Sequence, residues 1–148
     1  MKEINLIGNE KGTTAVETAI IIMLLLMFIF GIIEFGLLLF DKQVLTNASR
    51  EGARAGVVVG LGRSGGEIAE YRVWSENVAN DYCADHLVTF GSGYLDISTD
   101  YDDLDVSDNP SRGDNLIVSI SYDYDWLFLS AFGIPQVPLD VVSIMKLE

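Results

Sequence analysis

Between residues 15 and 40 the chain is apolar, with polar side chains only at Glu17, Thr18 and Glu34. As a helix, these 26 residues would extend about 39 Å, enough to cross a hydrocarbon core of roughly 30 Å. A secretory signal peptide has a shorter apolar core followed by a small-residue cleavage site. Here Asp41, Lys42 and Gln43 follow instead, and Val44, Leu45, Ala48, Gly52 and Ala55 keep a helical period with no proline before Gly60. A membrane helix continuing into a stalk is therefore expected.

The pattern changes after the glycine-rich stretch from Gly60 to Gly66, which reads as a connector because no Lys-Ser or Lys-Thr pair follows to make a phosphate cradle. Ser64 and Glu67 have capping-box spacing, and Ile68, Tyr71, Trp74, Val78 and Tyr82 predict the apolar face of a second helix ending near Asp85. Further on, Leu116, Val118, Ile120, Tyr122, Tyr124 and Trp126 alternate with Ile117, Ser119, Ser121, Asp123 and Asp125, the period of a half-buried strand. Residues 137–147 supply an antiparallel partner after a turn at 133–138, and residues 87–90 with 94–97 are a further candidate pair. One helix on an antiparallel sheet is an α+β head, and its size allows one modest core. The expected organisation is a polar leader at 1–12, a transmembrane and stalk helix at 13–59, the connector at 60–66 and an extracytoplasmic head at 67–148.

Chemistry concentrates at the mouth of the apolar run, where Lys11-Gly12-Thr13-Thr14-Ala15-Val16-Glu17 places a possible cleavage point beside a lone acid. A charge near hydrocarbon costs at least about 2.5 kcal/mol, so Glu17 calls for a counter-charge. Glu34, about 25 Å further along the axis, falls near the opposite interface, where hydration is the expected arrangement. A polar leader ending in Gly12, with Glu17 fifth after it, resembles the class III, type IV pilin-like export signal. The runs from Gly31 to Gly36 and from Leu45 to Arg54, GIIEFG and LTNASREGAR, resemble the TadE-like family of tight-adherence (Flp) pilus proteins.

That resemblance implies a pilin-like stalk and head, and a pseudopilin or minor pilin cleaved between Gly12 and Thr13 by a prepilin peptidase. It also implies partnership with other pilin and pseudopilin subunits and with the inner-membrane pilus assembly machinery, for surface attachment. Thr18 stands where the major Flp pilins usually have Tyr, and the chain is far longer than those pilins; both features favour a pseudopilin over the bulk subunit. The implied location is the bacterial cytoplasmic membrane, single-pass, with the lipid bilayer as a partner and the head outside. Cleavage would put an ammonium on Thr13 one turn from Glu17, so that one subunit's acid could neutralise a neighbour's amine.

The remaining signals are weighed against simpler readings. Ala48, Gly52 and Gly56 form a small-residue stripe that admits close helix packing, against either the chain's own head or an adjacent subunit. Arg50 and Arg54 share a face, read as solvated. The formal net charge of −13 disfavours nucleic-acid binding. Asp100, Asp102, Asp103 and Asp105 supply oxygen ligands of the kind calcium takes, but their order lacks the central Gly and distal Glu of an EF-hand loop, so a solvated acidic loop is preferred. The lone Cys83 excludes an intramolecular disulfide and reads as a buried thiol. Cys83 and His86 could touch on one helix, yet neither an orienting group nor an oxyanion site is visible, and the chain is not read as an enzyme. No cofactor is expected. The alternative to a pseudopilin is an uncleaved, single-pass anchored binding module with an acidic head.

Overall fold

Residues 7–62, 68–88, 93–102 and 113–147 are described in the structure, a computed structural model. Helix α1 spans Ile7–Gly62 and helix α2 spans Ile68–His86. Strands β1 (Leu95–Asp102), β2 (Asn115–Tyr124) and β3 (Val137–Lys146) form one antiparallel sheet in the order β1-β2-β3. The fold is α+β with a pilin-like layout: a long N-terminal apolar helix, then a helix and a three-stranded antiparallel sheet. The connector residues 63–66, the capping pair Ser64 and Glu67, and Asp103 and Asp105 lie outside the described residues. Leu87 and Val88 are not in a strand, so β1 is the only additional strand in the 87–102 region among the described residues.

The chain divides into two compact units, one up to Gly36 and one from Leu37 onward. In the first, every side chain from residue 12 to residue 33 is exposed, including the large apolar ones from Ile20 to Ile33. Soluble monomers rarely leave so continuous an apolar surface in water, and such surfaces mark contact with a membrane or another protein. The helical stretch Gly12–Val58 is long and apolar enough to cross a membrane.

The second unit is built on β2, whose period-two pattern buries Leu116, Val118, Ile120, Tyr122 and Tyr124 on one face. Register sets Ile97 of β1 and Val141 of β3 on either side of Ile120, so both neighbours extend that apolar face. The C-terminal part of α1 lies over it. A Cβ on Gly56 would meet Leu116 at 2.6 Å, and the Ser49 hydroxyl is 2.7 Å from that of Ser143, which pairs with Val118. Thus α1 runs antiparallel to β2. On the opposite edge, Glu76 of α2 accepts the Thr99 N–H of β1 at 3.1 Å, and Arg72 pairs with Asp100 at 2.7 Å while lying over the Tyr101 ring.

The face that α2 buries differs from the one its large residues predict. Ser75, Ala79 and Cys83 are fully buried, whereas Trp74 is 52% exposed. The cause is the partner: α1 presents Gly52 and Gly56 to α2, and two backbones approaching that closely admit only small side chains. A Cβ on Gly52 would lie 3.0 Å from both Ala79 Cβ and the Ser75 carbonyl oxygen. Ser75 Oγ donates to the Gly52 carbonyl at 2.8 Å, fixing the helices in register. Val78 and Tyr82, predicted on the main apolar face, instead flank the seam half-buried.

Two predictions follow from this packing. Gly52→Ala adds a methyl between atoms held by two backbones, so it should destabilise the protein by about 1 to 3 kcal/mol despite the better helix propensity of alanine; thermal unfolding followed by circular dichroism reads this. Burial pushes the Cys83 thiol up to about 11 from its ordinary 9.0. The native chain should therefore resist iodoacetamide at pH 8, and the stability tied to the protonated thiol should be lost as pH rises from about 9 toward 11.

Candidate assembly helix

Gly12 lies inside α1, and a Cβ built on it would meet nothing within 4 Å. Thr13 and Glu17 follow on the same helix and are exposed. Four residues apart, they stand one turn from each other on one side. Thr18 returns its hydroxyl proton to the Thr14 carbonyl at 2.9 Å, which satisfies a polar side chain inside the apolar run. Thr14, Ala15, Thr18, Ala19 and Ile22 line a shallow depression beside Glu17. The outward side of this stretch is therefore small near the acid and bulky beyond it.

The stripe residues sit elsewhere. Ala48, Gly52 and Gly56 are buried, with Gly52 and Gly56 placed against α2 and β2. Arg50 and Arg54 are exposed on another side of α1. The structure thus separates two helix surfaces: one around residues 13–22, open along its length, and one around 45–56, already occupied by the head's own core.

The acidic and thiol candidates are dispersed. Asp100 and Asp102 lie on exposed positions of β1, and Asp100 is engaged by Arg72. Among the described residues no group of three His, Cys, Asp or Glu side chains is placed to hold a metal. His86 stacks on Tyr82 with ring centroids 4.4 Å apart and sets Nδ1 2.9 Å from the Tyr82 carbonyl oxygen. Its ring is thereby committed to the helix surface, while Cys83 lies in the core.

Two carboxylates on the inner side of α1 have more structural consequence than any of these. Glu34 is 1% exposed and not without a partner, so it is a buried acid where hydration was expected. Axial position alone led to that expectation, but burial is decided by which side of the helix a residue is on. Asp41, two turns later, is also fully buried; its Oδ1 accepts the Val88 N–H at 3.1 Å, and its Oδ2 has no hydrogen-bond partner among the described residues. The available sequence signal was the seven-residue spacing of Glu34 and Asp41 on the side that carries Leu37, Leu38 and Leu45.

No curated protein and no solved structure matches this chain. A family model does: residues 12–54, which take in Gly12, Thr13, Glu17, the whole apolar run and the first two positions of the stripe, match TadE-like protein. That segment is similar to the TadE-like family, a likeness consistent with a pilus-associated protein.

Proposed function

We propose that the chain is a pseudopilin or minor pilin precursor of a tight-adherence pilus, cleaved after Gly12 by a prepilin peptidase. The observation that carries this reading is the exposed apolar surface of α1 with Glu17 at its mouth. A helix with that surface is stored in a bilayer and can later exchange lipid for other apolar helices without exposing itself to water. This role requires no catalysis, in keeping with the structural, non-enzymatic character typical of the family. Arg50 and Arg54 beyond the apolar run, and the acidic head, belong to the side that the export signal places outside the cytoplasm.

Cleavage would expose an ammonium on Thr13 beside Glu17. In the apolar interior of a helix assembly, the carboxylate of one subunit then neutralises the amine of the next, which sets the axial stagger between them. Removing one member of such a buried pair costs about 3 to 5 kcal/mol. Because Glu17 and Gly12 both face open space in the single chain, substitutions there leave the fold intact and report on recognition.

The intact mass of protein from membranes with and without a prepilin peptidase tests the precursor reading. Loss of residues 1–12 only when the peptidase is present supports it; retention in both leaves an uncleaved anchored module. In the cleaved background, Glu17→Ala should insert and be processed like the parent chain yet fall by at least about tenfold in incorporation into pili, given the size of the lost pair. Equal incorporation of the variant, measured by immunoblot of sheared pili, would refute the pairing. Gly12→Ala should abolish processing while leaving the helical circular dichroism signal unchanged or slightly raised.

A further inference from the structure

We infer that the loop between β2 and β3 is a lipid-contacting foot, seated in the interfacial layer of the same bilayer that holds α1. This rests on the membrane-anchored reading above and adds a second point of contact. Residues 126–139 carry no charge, the longest uncharged run after residue 40 in a chain that is otherwise 21% charged. Residues 130–136 are all exposed, with Phe132 at 84%. An apolar, exposed loop on a strongly acidic head is not explained by packing within the head.

The loop's position is set by the antiparallel run of α1 over β2. Gly56 of α1 abuts Leu116 of β2, and Asp41 lies with Asp125 close enough to Tyr122 for both carboxylates to act on its buried phenol. From Gly56 back to Asp41 is about 22 Å of helix, and from Leu116 on to Tyr122 is about 20 Å of strand, so the two elements keep pace. At the end of β2 the chain is level with Leu37, and the loop begins there. Residues 37–40 are the last of the apolar run on α1, with Leu39 and Phe40 about half exposed. The foot therefore stands where α1 passes from the apolar run into the head.

The loop is built to hold its shape away from water. Trp126 Nε1 donates to the Pro135 carbonyl at 2.8 Å and closes the loop at its base, while the Trp126 ring meets Tyr124 edge to face. Leu129–Phe132 form a 3-10 turn, and Gly133, at φ 74°, turns the chain back so that its N–H reaches the Ser130 carbonyl at 2.9 Å. Such internal bonds lessen the hydration that part of the loop backbone would otherwise need. Tyr94, 69% exposed, lies at the same end, because its carbonyl accepts the Asp123 N–H at 3.0 Å. Aromatic side chains collected at one level are the usual furnishing of a membrane interface. Asp123 and Asp125 stand at the base of the loop, at headgroup depth, where a hydrated acid is cheap; Asp125 also accepts from Gln136.

The test uses the full chain with Cys83→Ala, reconstituted singly in phosphatidylcholine nanodiscs, with an NBD fluorophore on one new cysteine at a time. Phe132→Cys probes the foot, Ser98→Cys is an exposed control on β1, and Ile22→Cys reports on the anchor itself. Shallow doxyl-labelled lipid should quench the probe at position 132 at least about threefold more strongly than the one at 98, as expected for a group held 5–10 Å into the interface, and aqueous iodide should do the reverse. If positions 132 and 98 respond alike, or if 132 is shielded from both quenchers, the foot is wrong while lipid quenching at 22 keeps the anchor. Loss of lipid quenching at 22 would overturn both.

Discussion

The close approach of α1 and α2 at Gly52 is the constraint on which the head depends. With Cys83 as its lone cysteine and free, the chain has no internal disulfide to hold a small head, so packing alone must supply its stability. The helices are joined where Ser75, Ala79 and Gly52 leave no room for a further methyl, and Ser75 locks the seam by bonding to the Gly52 carbonyl. Because α1 also lies along β2, the same seam fixes the distance between α2 and the sheet. The contacts of Arg72 and Glu76 with β1 follow from that placement.

One helix here serves two solvents. Along residues 12–33 its side chains are exposed, and from Val44 on it gives one side to a packed core. Apolar side chains suit both settings, so hydrophobicity does not mark the transition. Residue size does. Ile, Leu, Met and Phe fill the first stretch, where lipid or bulky neighbours adapt to any shape, whereas Ala and Gly dominate the second, where another backbone sits at fixed distance. Asp41, one turn before the second stretch, ties α1 to the chain at Val88.

The sheet was legible because β2 obeys a strict two-residue alternation and its inner face is large and apolar. The membrane-length helix was legible from its length. The buried side of α2 was not, because apolar periodicity finds large residues, and the seam selects Ser75, Ala79 and Cys83 for their smallness. The stripe at Ala48, Gly52 and Gly56 could be read as a packing surface, but sequence left its occupant open between the head and another subunit; the structure gives it to the head. Glu34 was read by its distance along the axis, which says nothing about azimuth. The chemistry at Gly12, Thr13 and Glu17 is legible only as a pattern, since all three positions are exposed on the helix and no packing reports on their role.

The division of surfaces bears on how such a subunit could assemble. In α1 the side that carries the stripe is taken up by the head, while Arg50 and Arg54 mark an exposed polar side, so in the proposed assembly the apolar surface that α1 has left for neighbours would be the apolar run and the mouth at Glu17. Apolar packing in that region is tolerant of register, because Ile, Leu and Phe fit one another in many staggers and lipid competes for all of them. A charged pair is not tolerant: displaced by one turn, both partners would be left unpaired in hydrocarbon. In the assembly proposed above, Glu17 would then set the stagger, while side chains that carry no positional information would supply the bulk of the attraction.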